Sequence, residues 1–189
     1  MARYIQYEKK RYKKLSFRIF PSTDFQQILS KLNNVSFSHS SLTPEQIIYA
    51  VLELINNSLR AHREKEHDLP IYLRFAVEEN GYEVYMQDWG GGFDVSNLPY
   101  DLNEDTEHIN IHDENFEQYR LEHNHQRFGL GLFLAKKTFT HFNLYFIDED
   151  GMETTWESGN TAGTVIHLRT LSPTARAVSE ETHEKSAPR

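Results

Sequence analysis

The strongest constraint on the fold is a pair of alternating runs, IYLRFAVEE and YEVYMQD, joined at Asn80-Gly81 and continuing directly into DWGGGF. Strict alternation over such lengths is the pattern of half-buried strands, and Asn-Gly between them predicts a β-hairpin with a type I′ turn. A lone hairpin is unstable in water, so the chain must supply further strands and a layer to cover the apolar face. Gly90, Gly91 and Gly92 then follow Asp88 and Trp89. Glycine loses more backbone freedom on folding than any other residue. Three in a row at a strand end mark either a tight turn or a place where something lies against bare backbone.

The remaining punctuation supplies that layer. LSFRIFP (15–21) alternates and stops at Pro21, as a strand does. Ser22 or Asp24 is placed to cap a helix around FQQILSKLNN, and SFSHSSLT (36–43) reads as a loop. Thr43-Pro44-Glu45 gives an N-cap, a first-turn proline and an acid at the positive end of the dipole of a helix running to about Arg63. FGLGLFLAKKTFTHF opens a further helix, and LYFIDED, METTWES and TVIHLRT read as strands. The expected fold is α+β: a two-layer sandwich with a mixed, mainly antiparallel sheet and helices on one face. The core domain spans 15–171. A basic arm at 1–14 precedes it, and a polar, disordered tail at 172–189 follows. The stretch from Phe93 to Phe128 has little periodicity, and so long a connection in a compact domain points to function.

Composition removes several function classes. The net charge of −8 argues against general nucleic-acid binding. The absence of cysteine excludes disulfides, thiolate metal sites and a cysteine nucleophile, and it fits a reducing, cytoplasmic setting. No apolar run reaches membrane-spanning length, and MARYIQYEKKRYKK lacks the apolar core of a secretory signal. Charge is unevenly spread. Arg3, Lys9, Lys10, Arg11, Lys13 and Lys14 make the first fourteen residues basic, either a solvated lead-in or a docking arm for an acidic partner. Asp94, Asp101, Glu104, Asp105, Glu107, Asp113, Glu114, Glu117 and Glu122 make the long connection acidic.

The chemistry is concentrated on the long helix. At 100° per residue, Ile47, Ile48, Val51, Leu52, Ile55 and Leu59 form an apolar stripe, while Glu53, Asn57 and Arg60 fall together opposite it. A carboxylate can take a proton, an amide oxygen can ligate a hard cation, and a guanidinium can pair with phosphate; phosphoryl transfer needs all three. Gly129 and Gly131 sit where a loop becomes a helix, and an anion can approach the free N–H groups there. Neither a GxxxxGK[ST] loop nor a strand–GxGxxG–helix fingerprint is present.

In order, the chain carries Glu53 and Asn57, then Asp88, Gly90 and Gly92, then Gly129, Gly131 and Leu132, then Gly163 and Thr164. This series resembles the GHKL superfamily, the Bergerat fold that unites gyrase, heat-shock chaperones, histidine kinases and mismatch-repair ATPases, and it covers about 15–170. The resemblance implies ATP and Mg²⁺ as ligands. It makes Asn57 the magnesium ligand, Glu53 the base or water-positioning acid, and Asp88 the acceptor for the adenine amino group. It gives Gly90 and Gly92 to the turn beneath the nucleotide, Gly129, Gly131 and Leu132 to the lid hinge and phosphates, and Thr164 to adenine support. Residues 93–128 take the place of the ATP lid, with Arg120 or Arg127 expected to face the phosphates when it closes and the lid mobile without ligand.

The N-terminal layout, GGGFD and GLGLFLAKK are similar to the anti-sigma-factor serine kinases, which implies a regulatory partner such as a sigma factor or its antagonist. An ATP-switched binding module without turnover, and a histidine-kinase catalytic domain acting in trans, remain as alternatives. His39 in HSSLTP is a loop histidine, not a phospho-acceptor, because no dimerisation helix precedes Glu53. The acidic lid is suited to a basic partner, including this protein's own N-terminal arm across a homodimer. Its His108, His112, His123 and His125 read as solvated, His62 and His67 as helix C-terminal caps, and Tyr49 and Leu52 as core. Trp89 either packs on the base or fills the sheet edge, and neither it nor Gly91 is required by the motif.

Overall fold

The computed structural model describes residues 2–123 and 129–171. Arg127, His125 and the tail expected over 172–189 lie outside the described residues. The chain runs β1 (Ile5–Tyr7), β2 (Lys10–Tyr12), β3 (Lys14–Ile19), α1 (Phe25–Leu32), β4 (Val35–Phe37), α2 (Pro44–Glu64), β5 (Ile71–Glu78) and β6 (Gly81–Asp88). It continues through α3 (Glu114–Glu122), α4 (Leu130–Thr138), β7 (His141–Ile147), β8 (Glu153–Thr154) and β9 (Gly163–Leu171), with 3-10 turns at Val95–Asn97 and Trp156–Ser158. A six-stranded sheet has the order β3-β5-β6-β9-β7-β8, and a smaller sheet has the order β2-β1-β4. Every pairing is antiparallel.

The two layers follow from the two periodicities. Ile71, Leu73 and Phe75 on β5, Val84 and Met86 on β6, and Ile166 and Leu168 on β9 point to one face and are buried. The α2 stripe, with Ile47, Val51, Ile55 and Leu59, closes over the same core. α2 starts where its caps predict. Thr43 Oγ1 accepts from Gln46 N–H at 3.3 Å, and Gln46 Oε1 accepts from Thr43 N–H at 2.9 Å, a reciprocal capping box. Asp24, rather than Ser22, caps α1. Leu52 joins the core, but Tyr49 does not: it is 59% exposed, one turn before Glu53 on the polar side of α2. Aromatic character suggested burial there, and helical phase decides otherwise.

Three further expectations are corrected. The central hairpin turns at Glu79-Asn80, one residue early, with Glu78 opposite Gly81, and neither turn residue has positive φ. Gly81 instead lies in β6, where a Cβ would stand 1.8 Å from the Thr170 carbonyl oxygen of neighbouring β9. That glycine serves close strand approach, not a type I′ turn. The left-handed two-residue turn occurs at Glu8-Lys9, with φ 48° and 67°. Second, that turn joins β1 to β2, so most of the first fourteen residues are not a solvated lead-in. Ile5 is fully buried, and the Tyr82 hydroxyl donates to the Tyr4 carbonyl at 3.0 Å and also bonds the Ser38 carbonyl, tying the small sheet to the large one. Third, METTWES is only partly strand, since Trp156–Ser158 forms a 3-10 turn.

Candidate functional site

α2, the turn after β6, the lid, the start of α4 and the start of β9 enclose a cleft of about 650 Å³. The sequence-predicted Glu53, Asn57, Arg60, Asp88, Gly90, Gly92, Gly129, Gly131, Leu132 and Thr164 all line it. Residues from four separate parts of the chain thus converge on one cavity.

Asp88 ends β6 and is only 6% exposed. Its Oδ2 accepts from Ser58 Oγ at 2.5 Å, and its Oδ1 accepts from the Gly90 N–H at 2.9 Å. Each carboxylate oxygen keeps lone-pair capacity beyond these bonds, so the fixed group can still accept from a ligand. Thr164 lies directly across the ladder from Asp88 on β9 and is also buried. Gly90 and Gly91 have separate reasons. A Cβ at Gly90 would stand 2.5 Å from the Ala61 methyl carbon of α2. Gly91 has φ +80°, a conformation side chains resist, and its N–H donates to the Ala162 carbonyl at 3.0 Å. The turn is therefore glycine-rich because it lies against α2 and the segment leading into β9, while Asp88 still lines the cleft.

At the other end, Arg60 Nη2 donates to Asn57 Oδ1 at 2.8 Å. The α4 start presses against this pair: a Cβ at Gly131 would stand 2.7 Å from Asn57 Nδ2 and 3.6 Å from Glu53 Cβ. Gly129, φ 69°, is the N-cap of α4 and supplies no side-chain cap, so the first N–H groups of that helix are left for another acceptor. The donor set fits Mg²⁺ carried by a polyphosphate. The ion needs few protein ligands when phosphates and water complete its shell, and one amide oxygen is a suitable hard donor. Release of Asn57 by Arg60 would free that amide oxygen.

The lid contains more structure than its periodicity suggested. Asp113 caps α3 by accepting from Phe116 N–H at 3.1 Å. Tyr100 and Phe116 stack at 5.6 Å and, with Phe133 of α4, form a buried cluster separate from the main core. Lys136 of α4 donates to the Leu102 carbonyl at 2.6 Å and also bonds the Glu104 carbonyl. Arg120 is turned to the lid itself, donating to the Ile111 carbonyl at 2.9 Å, instead of facing the phosphate end. Among the described residues, the lid histidines belong to no group of three or more metal-binding side chains. His123 and Tyr119 do line the cleft.

Several residues in and behind the cleft wall escaped the sequence. Ser58 stands beside Asn57 but bonds across thirty residues. His62 is not an exposed cap. It is fully buried, and its Nε2 accepts from the Trp89 N–H at 3.0 Å. His67 lies beyond the end of α2, its N–H donating to the His62 carbonyl at 2.9 Å. Trp156, not Trp89, is the tryptophan of the cleft wall. No local signal marked these roles; each depends on a distant strand or helix.

A family model described as the histidine kinase-like ATPase domain matches residues 23–156, most of the chain. The chain belongs to that family. A further match is to a serine-protein kinase, RsbW, of Listeria monocytogenes, 29% identical over 119 residues. That alignment takes in 60% of this chain and 64% of the relative, so the domain spans somewhat less than two thirds of the curated relative's length. Thr164 lies beyond the family match, and its place beside Asp88 comes from strand register. Among the described residues, no helix of this ATPase-family domain is long and apolar enough to cross a membrane.

Proposed function

We propose that this domain binds Mg-ATP in the α2–α4 cleft and phosphorylates a serine or threonine hydroxyl on a regulatory protein, of the sigma-factor or antagonist kind, in the cytoplasm. The observation that carries the reading is Asp88: a buried carboxylate, fixed on both oxygens, at one end of a cleft with Glu53 and Asn57 at the other. The adenine amino group is the donor such an acceptor suits.

The ligand supplies an electrophilic γ-phosphoryl group whose charge the cation offsets. Asp88 and Thr164 orient the base, and Asn57 supplies the protein oxygen to the cation. Glu53, one helical turn before Asn57, takes the proton as the acceptor hydroxyl oxygen bonds to phosphorus. The bond from phosphorus to the bridging oxygen breaks, and ADP leaves with that electron pair. Arg60 and the open N–H groups at α4 stabilise the transferring charge.

Incubation with labelled ATP, Mg²⁺ and candidate antagonist proteins tests this. Acid-stable label on the partner, abolished by Glu53→Ala, is expected; acid-labile label would point to histidine transfer instead. A second reading, an ATP-switched binding module without turnover, draws on the acidic lid, which repels a triphosphate. Nucleotide-dependent partner binding that survives Glu53→Ala, with no label transferred, would favour it.

A further inference from the structure

The last turns of α2 hold the turn after β6 residue by residue. Ser58 bonds Asp88, His62 bonds the Trp89 N–H, and Ala61 abuts Gly90. The His62 contact depends on protonation, because an imidazole nitrogen accepts a hydrogen bond only while it carries no proton. Acceptance at Nε2 puts the ring proton of neutral His62 on Nδ1, which is buried beside the backbone of His67 and Leu69 without a hydrogen bond of good geometry.

We propose that His62, as a neutral acceptor, is a positioning residue for the nucleotide-binding turn: it fixes the Trp89 N–H and through it the adjacent Asp88 carboxylate, so that nucleotide affinity is lost when the ring takes a proton. This rests on the reading of the cleft as an ATP site. A second proton would sit on Nε2, facing a peptide N–H, so donor would meet donor and the turn would have to move. The titratable groups that face the ring are Asp88 on β6 and His67 after α2, whose ring centroid is 5.8 Å away. Burial pushes the pKa of His62 down, overcoming the attraction of Asp88 and the backbone groups of His67 and Leu69, all of which favour the charged ring, while the His67 ring charge opposes it. The ring is therefore neutral near pH 7, and the hydrogen bond is made under ordinary conditions. The folded state holds fewer protons on this group than the unfolded chain does. Stability that is full above the unfolded histidine value is lost as pH falls toward the lower folded value.

The test compares ATP affinity of the full chain from about pH 8 to about pH 5 with that of His62→Gln and His62→Leu. The glutamine amide oxygen can accept from Trp89 without titrating, whereas leucine fills space and accepts nothing. The original chain is expected to lose about tenfold in affinity on acidification. His62→Gln should bind within about threefold at the alkaline end and stay flat, and His62→Leu should be about tenfold weaker and also flat. Nuclear magnetic resonance of the unliganded chain gives a separate readout. The His62 ring should be the Nδ1–H tautomer, and the Trp89 amide proton should shift as that ring titrates. The proposal is overturned if His62→Gln reproduces the acid loss, or if the Trp89 amide ignores the ring. Should His62→Leu not fold, the other chain, the glutamine variant and the resonance decide. Should no nucleotide bind even at the alkaline end, the ATP reading falls, and the Trp89 resonance alone accepts or rejects the positioning role.

Discussion

On one side of the cleft, Asp88, Trp89 and Gly90 are each held by a residue of α2, the helix whose opposite stripe forms the main core. On the other side, the lid rests on α4 through Lys136 and a small cluster of Tyr100, Phe116 and Phe133. The first seat cannot move without disturbing the core. The second is a satellite with its own few buried rings, and such units open at lower cost than the whole fold. On the Mg-ATP reading proposed above, the difference would assign the two tasks of a nucleotide site to different kinds of structure: recognition of the base to rigid elements, and access to the phosphates to a separable one.

The sharpest way to break the contrast is Gly90→Ala. Its new methyl would meet Ala61 on a helix that cannot retreat, and the domain should lose about 3 kcal/mol, roughly 10 °C in Tm, by calorimetry. An unchanged Tm would mean that the base seat is independent of the core. Asp88→Asn comes next. It should weaken ATP binding about a hundredfold, because one buried partner becomes a donor facing donors. Its effect on Tm should be smaller than that of Gly90→Ala, and unaltered affinity would remove the base end from the site. Lys136→Met probes the other side. Cleavage within 101–112 by a limiting protease should accelerate about fivefold while Tm barely changes. A matching fall in Tm would merge lid and core into one unit. Gly91→Ala should cost about 1 kcal/mol, the strain of a left-handed turn alone, since its Cβ would meet nothing nearer than the flexible Lys65 stem at 3.3 Å.

What could be read in advance was what neighbours in sequence determine. The capping box at Thr43 and Gln46, the apolar stripe of α2, and the grouping of Glu53, Asn57 and Arg60 all depend on helical phase. The order of the glycine motifs was enough to place Asp88 and Gly131 in one cleft. The slip of the hairpin turn was hidden because Gly81 answers to Thr170, a residue eighty-nine positions later on another strand. Ser58 and His62 were hidden for the same reason. A serine and a histidine on a helix look like surface residues until β6 brings Asp88 and Trp89 against them. Tyr49 misled in the opposite sense, as a large ring left at the rim of the polar face. The lid lacked a period because its buried residues, Tyr100 and Phe116, are widely spaced and find their partner Phe133 on another helix.

Lys136 has a mechanical consequence. By gripping the backbone at Leu102 and Glu104 it fastens the lid part-way along its length. A strap buckled in the middle behaves as two short straps, each with less contour to explore and a smaller closure entropy than the single span. Tyr100 before the buckle stacks on Phe116 of α3 beyond it, so neither short span can lift without breaking that pair. Lifting the whole lid at once therefore requires the Lys136 ammonium to give up both carbonyls as well as the stacked rings to part.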